Sequence, residues 1–139
     1  MKPVTVTTTI DRPREDIHTV LEDLMNHESF TDHFLTDFQR TDTGIRVKGK
    51  GGGGWMDITP VESTPERIVE LGRSGKNGRR HTKGIYTLEP RNGGTVVSFT
   101  NEIEPAGVGD RLAAPLIRAY LRKQNGRALE RLKEQMEAR

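Results

Sequence analysis

The chain has 139 residues, of which 32% are hydrophobic and 30% charged, with a net charge of +2 and no cysteine. This length fits one domain, and the lack of cysteine excludes a disulfide framework and thiol chemistry. No apolar stretch resembles a signal peptide or is long enough to span a membrane. We therefore expect a single cytoplasmic domain over residues 1–139.

Charge is distributed unevenly along the chain. Residues 1–43 contain nine acidic and four basic residues, residues 66–91 contain seven basic and three acidic, and residues 107–139 contain eight basic and four acidic. Two solvated surfaces that attract each other explain this pattern. A nucleic-acid surface would also need aromatic residues among the basic ones. Aromatic residues make up only 5% of the chain, so we expect no nucleic-acid binding.

The N-terminal part predicts one strand and two short helices. Residues 3–10 alternate and are rich in β-branched side chains, as in a strand. Pro13 fits the first turn of a helix, and apolar residues at helical spacing continue to Leu24, which indicates about a dozen helical residues. A short second helix or turn is expected at residues 26–31, with Phe30 facing inward.

The central part alternates between strands and turns. Asn77-Gly78 is its strongest tight-turn signal. No helical pattern separates the strands, so neighbouring strands should pair antiparallel. The predicted strands cover residues 34–40, 45–50, 55–61, 67–73, 79–88 and 95–104.

The C-terminal part predicts one long amphipathic helix. Apolar residues recur at three- and four-residue steps from Leu112 to Met136, and Pro115 must lie near the helix start or at a kink. The apolar face of the sheet must be buried on this helix. The predicted fold is α+β: a curved antiparallel sheet of about seven strands around the C-terminal helix, with two short helices after the first strand. A cavity remains where the curved sheet and the helix separate.

Several short motifs follow one another along nearly the whole chain, and each is weak alone. They are Ile10-Asp11-Arg12-Pro13, the helix residues Ile17, Val20 and Leu21, Thr64-Pro65-Glu66-Arg67-Ile68-Val69, Tyr86-Thr87-Leu88-Glu89-Pro90, Gly93-Gly94-Thr95-Val96-Val97 and Leu129-Glu130-Arg131-Leu132-Lys133. In this order and spacing, the chain resembles the START-like, or SRPBCC, superfamily, including its polyketide cyclase/dehydrase and lipid-transport group.

The resemblance implies a helix-grip fold whose seven-stranded sheet encloses a pocket for a hydrophobic or amphipathic molecule. Such proteins include carriers, cyclases, hydrolases and regulators, so the fold leaves the function open. A small hydrophobic or amphipathic ligand and a second copy of the chain, in a homodimer, are the partners that we retain.

Strand and helix phase indicate which side chains could contact a ligand. In the last strand, Phe99 and Asn101 share the inward face, and a buried amide such as that of Asn101 needs a partner. The candidate ligand-binding residues are Asn101, Tyr86, Phe99, Thr82, Trp55, Tyr120, Gln124 and Leu116. Trp55 either packs in the core or at the rim, or forms a ligand platform.

Two functions from different classes remain open at this point. Binding or carriage of a small molecule is favoured, because no nucleophile motif, metal-ligand spacing or cofactor loop is recognisable. The competing function is a cyclase, dehydratase or hydrolase that polarises a carbonyl through Asn101, Tyr86 and His81. A third class is an interaction module that uses the acidic N-terminal surface. We expect no cofactor and no metal site.

Three further features of the sequence lead to expectations about the cavity and its entrance. His33 and His81 either reach the cavity or lie on the surface. The run Gly51–Gly54 departs from the family pattern, because glycine weakens a strand end and permits a sharp bend. We predict that this run and residues 105–115 form a movable mouth of the cavity.

Overall fold

The computed structural model describes the backbone of all 139 residues and every side chain except that of Lys76. Seven strands and four helices follow one another along the chain. They are β1 (Val4–Ile10), α1 (Arg14–Leu21), α2 (Glu28–Thr31), β2 (Leu35–Arg40), β3 (Ile45–Gly49), β4 (Trp55–Thr64), β5 (Arg67–Ser74), β6 (Arg80–Arg91), β7 (Gly94–Glu104), α3 (Val108–Leu112) and α4 (Ala114–Glu137).

The strands form one antiparallel sheet in the order β1-β7-β6-β5-β4-β3-β2. Strands that are adjacent in the sheet are also consecutive in the sequence, except that β1 pairs with β7. Register shifts interrupt the pairing between Thr36 and Gln39 of β2 and between Pro60 and Glu62 of β4. Such bulges bend a strand and increase its twist, which helps the sheet curve around the helix. The predicted α+β helix-grip fold is confirmed.

The first helix is shorter than predicted. It ends at Leu21, and a separate 3-10 turn covers Leu24–His27. The Asp23 carboxylate accepts a hydrogen bond from the Met25 backbone N–H at 3.0 Å, so the chain starts a new turn there instead of extending α1. Phe30 is fully buried, as predicted.

The long helix begins at Ala114, with Pro115 in its first turn, where proline costs no hydrogen bond. The short helix α3 precedes it. The C-terminal half of α4 packs into the main core, which also receives Ile17 and Leu21 of α1 and Phe30. The buried residues of α4 are Asn125, Ala128, Leu129, Leu132 and Met136.

A second, smaller apolar cluster forms under β2, β3 and β4. It contains the buried Leu24, Ile45 and Val47, with Phe38 and Met56 packed against them. The two clusters leave a gap between them, because the curved sheet and α4 diverge there. No helix in the described part of the chain is long and apolar enough to cross a membrane.

Candidate functional site

The gap between the two apolar clusters is a cavity of about 130 Å³. One water molecule needs roughly 10–15 Å³ measured in the same way, so the cavity has room for a small organic molecule. Its walls are mainly apolar. The apolar side chains come from the turn before α2, from the segment between α2 and β2, from four strands and from α4, and include Leu24, Phe34, Phe38, Ile45, Met56, Ile58, Phe99, Leu121 and Leu129.

Strand register arranges the floor of the cavity in parallel rows across β5, β6 and β7. One row joins Ile68, Tyr86 and Phe99, the next joins Glu70, Gly84 and Asn101, and the third joins Gly72, Thr82 and Ile103. Residues two apart on a strand point to the same face, so all three rows face α4. Two of these nine positions are glycines, which lack a side chain to fill the space above them.

Gly84 occupies the middle of the central row. A Cβ atom at this position would lie 2.9 Å from Glu70 Oε1 and 3.0 Å from Phe99 Cε1. The absence of a side chain therefore allows the Glu70 carboxyl group to lie across β6 towards the Phe99 ring. Glycine at this position shapes the cavity floor rather than a turn.

Aromatic rings form one end of the cavity. The rings of Tyr86 and Phe99 lie 4.3 Å apart between centroids, and the His27 ring meets Tyr86 edge-on at 5.5 Å. Burial, and then the negative charge of Glu70, raise the pKa of Tyr86 well above its usual value. The Tyr86 hydroxyl is therefore a neutral hydrogen-bonding group over the whole physiological range.

His27 is buried and neutral. Its Nε2 donates a hydrogen bond to the Leu21 carbonyl oxygen at 2.8 Å. Because a carbonyl only accepts, the proton is on Nε2, and Nδ1 is left as an acceptor. Burial lowers the pKa of His27 to about 4. This histidine presents no positive charge to the cavity at neutral pH.

A pair of amides connects the helix to the sheet within the cavity. The Nδ2 group of Asn125 in α4 donates a hydrogen bond to Oδ1 of Asn101 in β7. The sequence predicted that the buried Asn101 amide needs a partner, and Asn125 provides it. The remaining amide groups of the pair are available to a ligand or to water.

Glu70 is the one acidic side chain in the cavity wall of the described structure. The residue is half-buried, but its Oε2 atom has no solvent exposure and no hydrogen-bond partner. Burial raises the pKa of this carboxyl to about 7. An unpaired buried charge is costly, so Glu70 exchanges its proton near neutrality instead of at the acidic pH typical of glutamate.

Four of the predicted site residues line the cavity: Thr82, Tyr86, Phe99 and Asn101. Their contact with a ligand stays a prediction. All four come from β6 and β7, where strict alternation along a long strand determines which side chains face inward.

The three predicted helix residues do not line this cavity. Leu116 is 76% exposed and Tyr120 is 49% exposed. Both border an open groove beside the cavity, together with Leu121 of α4 and with Thr82 and Ile103 of the sheet. Gln124 is half-buried and does not line the cavity. The adjacent Asn125 holds the inward position.

Trp55 also lies outside the cavity. It begins β4 with its side chain on the convex face of the sheet, while the next residue, Met56, lines the cavity. The guanidinium carbon of Arg46 is 4.7 Å from the centre of the indole ring. Trp55 is 36% exposed, makes a cation–π contact and belongs to neither apolar cluster.

The two histidines and the glycine run do not line the cavity either. His81 is exposed on the outer side of β6. His33 donates from Nε2 to the Gln124 carbonyl oxygen at 3.1 Å. In the Gly51–Gly54 run, Gly51 and Gly52 have positive φ values of 71° and 86°, which form the sharp bend between β3 and β4. No three His, Asp or Glu side chains among those described lie close enough together to hold a metal ion.

Glu70, His27 and Asn125 were not among the predicted site residues. The polar Glu70 interrupts the inward series Ile68-Glu70-Gly72 of β5, and an acid at an inward strand position was the available signal. Asn125 follows the apolar Leu121 by four residues, which was an available signal for a shared face. We find no sequence signal that distinguishes the buried His27 from a surface histidine.

The curved sheet around α4, with a cavity between them, is the helix-grip architecture of the START-like, or SRPBCC, superfamily. The chain belongs to the polyketide cyclase/dehydrase and lipid transport family, whose family model matches residues 1–137. None of the curated proteins compared with the chain matches it in sequence.

Solved structures share the fold over almost the whole chain. A protein of Thermus thermophilus is 16% identical with a TM-score of 0.77, and the alignment covers 99% of this chain and 98% of that one. The Zhui aromatase/cyclase of Streptomyces sp. R1128 is 14% identical with a TM-score of 0.77, covering 99% and 94%. A protein of Deinococcus radiodurans is 20% identical with a TM-score of 0.69, covering 99% and 98%. At sequence identities of 14–20%, these similarities show a shared fold.

Proposed function

We propose that the protein binds a small hydrophobic or amphipathic molecule in the cavity between the sheet and α4, as a carrier or sensor. The observation that carries this proposal is the cavity itself. Its walls are mainly apolar, with a few polar groups, among them Glu70, Tyr86 and the Asn101–Asn125 pair. Ligand sites in proteins commonly combine an apolar lining with a few placed polar groups that orient the ligand.

A second candidate function is an enzyme that acts on a carbonyl-containing ligand in the same cavity. The observation in its favour is that the Glu70 carboxyl and the Tyr86 hydroxyl line the same space. A carboxyl with a pKa of about 7 suits proton transfer at neutral pH. His81 does not support this candidate, because it lies on the outer side of the sheet. The enzyme would depend on Glu70 instead.

Two variants with the same type of substitution test the binding proposal. Ile103→Trp enlarges a side chain in the cavity wall, and Leu71→Trp enlarges an exposed side chain that does not line the cavity. Native mass spectrometry of the purified protein should detect a bound molecule that Ile103→Trp loses and Leu71→Trp keeps.

If no molecule co-purifies, calorimetric titration with hexanol provides the same comparison. Hexanol should bind the wild type and Leu71→Trp and should bind Ile103→Trp at least about tenfold more weakly. Equal binding to the two variants would place the ligand elsewhere. Turnover of carbonyl compounds that disappears in Glu70→Gln would favour the enzyme.

We further propose that the protein acts in the cytoplasm without binding nucleic acid. Part of the basic surface of α4 is already engaged: Arg131 pairs with Asp32, and Lys133 pairs with Glu137 at 2.7 Å. These contacts join the basic helix to acidic groups, including one from the N-terminal part of the chain. Sequence-dependent retention of DNA or RNA at physiological salt would contradict this proposal.

A further inference from the structure

The Glu70 carboxyl group lacks a hydrogen-bond donor. Its Oε2 atom accepts no hydrogen bond from a described group and has almost no exposure to solvent. Buried acceptors without a donor are rare in folded proteins. A carboxylate in this position needs a donor that the described part of the chain does not provide.

The neighbours of Glu70 explain why no donor is present. Directly opposite it are Pro60 of β4 and Gly84 of β6. Neither carries a polar side chain. On the same face of β5, its neighbours are Ile68 and Gly72. The backbone donors of the sheet are directed along the strand pairing and do not reach the carboxyl oxygens.

The other walls of the cavity supply no positive charge to Glu70. The titratable groups that face it are Tyr86 from β6 and His27 from the turn before α2. His27 is neutral, as shown above, and α4 contributes the uncharged Asn125. No lysine or arginine is among the described residues that line the cavity from β2, β4, β7 or α4. An ionised Glu70 therefore lacks a counter-ion from the described protein.

We propose that the cavity selects a small, mostly apolar amine, whose protonated nitrogen binds the Glu70 carboxylate. This inference rests on the proposed function, the binding of a small molecule in this cavity. An ammonium group supplies both the missing hydrogen-bond donors and the missing positive charge. The rings of Phe34, Phe38, Tyr86 and Phe99 surround the same space, and aromatic faces attract cations.

Binding of an ammonium group should release the proton of the Glu70 carboxyl. Because burial raises the pKa of Glu70 to about 7, the carboxyl is mostly protonated at about pH 6 without ligand. A bound ammonium group favours the ionised form. The carboxyl O–H bond then breaks, its proton passes to the buffer, and the carboxylate pairs with the ammonium nitrogen. An alcohol, or a carbonyl compound held by the protonated carboxyl, would release no proton.

Isothermal titration calorimetry with three probes of equal chain length tests the proposal. Hexylamine, hexanol and hexanoic acid are titrated into the full chain at about pH 6, in buffers that differ in ionisation enthalpy. Hexylamine should bind at least about tenfold more tightly than the other two, the effect expected of a hydrogen-bonded buried charge. Its binding alone should release protons.

Two variants complete the experiment. Glu70→Gln keeps the shape of the side chain and removes its charge, so it should abolish both the preference for hexylamine and the proton release while hexanol still binds. Glu102→Gln, on the exposed face of β7, should retain both. Circular dichroism checks that the variants fold, and the proton release of the wild type provides a measurement that needs no variant.

The outcomes separate this inference from the proposed function. If hexanol or hexanoic acid binds the wild type as tightly as hexylamine, the amine preference is wrong although the cavity binds ligands. If hexylamine is preferred equally by the wild type and Glu70→Gln, Glu70 is not its partner. If none of the probes binds, both the inference and the binding function that it rests on fail.

Discussion

The two halves of the C-terminal helical region have similar apolar spacing and opposite environments. Between residues 125 and 136, the apolar residues Ala128, Leu129, Leu132 and Met136 are all buried. Between residues 108 and 120, the large apolar residues Val108, Leu112, Leu116 and Tyr120 are exposed and Ile117 is half-buried. The first group packs the helix onto the sheet, whereas Leu116 and Tyr120 of the second group border an open groove between α4 and the sheet. Apolar spacing alone therefore does not show which side of a helix is buried.

The change from exposed to partly buried positions occurs between Tyr120 and Leu121. Four-residue steps lead from Leu112 through Leu116 to Tyr120, and a similar series of steps leads from Leu121 to Leu132. Consecutive helix residues differ by about 100° in direction, so the two series lie on different faces. Joining the two series into one led to the prediction that Tyr120 faces the cavity, whereas Leu121 lines the cavity and Tyr120 borders the open groove beside it.

Truncating one leucine from each half should give the largest contrast. Leu132 is 1% exposed, so Leu132→Ala should lower the free energy of unfolding by about 2–5 kcal/mol. Leu116→Ala should change it by less than about 0.5 kcal/mol. Urea unfolding of both variants measures the difference. Similar losses in the two variants would mean that the exposed row is covered by something in solution.

The packed half also covers two titratable groups whose effects on stability oppose each other. Burial raises the pKa of Glu70 from 4.5 to about 7. Between these pH values the folded protein holds a proton that the unfolded chain has lost, so the free energy of unfolding falls as the pH rises. Burial lowers the pKa of His27 from 6.5 to about 4. Here the unfolded chain holds the extra proton, so the free energy of unfolding rises with pH.

These two effects should be separable by single substitutions. Between about pH 4.5 and 6.5, each group should change the free energy of unfolding by on the order of 1 kcal/mol per pH unit, and the two changes should have opposite signs. Relative to the wild type, Glu70→Gln should therefore gain stability as the pH rises, and His27→Gln should lose it. Urea unfolding at several pH values measures the slopes. Parallel curves for all three proteins would show that neither group is shielded as described.

The smallest effect concerns the segment predicted to act as a mouth. Asp110 of α3 accepts hydrogen bonds from Arg80 at 2.6 and 2.9 Å and from the Ala106 backbone N–H at 2.9 Å. These donors lower the pKa of Asp110 to about 2. Amides of residues 106–113 should exchange hydrogen faster than those of residues 126–136, because their segment is less buried.

Asp110→Asn should accelerate exchange in residues 106–113 up to about fivefold, the range of a partly exposed ion pair. It should leave residues 126–136 unchanged. Mass spectrometry of exchanged peptides measures both segments in one experiment. An equal acceleration in both segments would mean that the ion pair stabilises the whole fold instead of this segment.

The sheet could be predicted from the sequence in considerable detail. Its strands are long, and turn signals such as Asn77-Gly78 separate them, so their number and antiparallel pairing followed from local patterns. Inward positions on β6 and β7 were correct for the same reason. The end of α1 was not predictable from spacing, because it depends on the hydrogen bond that Asp23 makes to the next turn.

The site was less predictable than the fold. Its most unusual group, Glu70, has a raised pKa because the carboxyl is buried and the strands beside it offer its Oε2 atom no hydrogen-bond partner. That environment arises from residues far apart in sequence. Asn101 illustrates the same limit, because its need for a partner was evident, whereas the identity of Asn125 depended on the rotation of α4.

The position of Trp55 determines what the intrinsic tryptophan fluorescence of the protein can report. It is the single tryptophan of the chain, and it lies on the convex face of the sheet beneath Arg46. Its emission therefore reports on the outer surface near the tip of β3 and β4 and is insensitive to what occupies the interior. The Ile103→Trp variant adds a second indole in the cavity wall, and the difference between the two spectra shows whether this indole is shielded from solvent, as filling of the cavity requires.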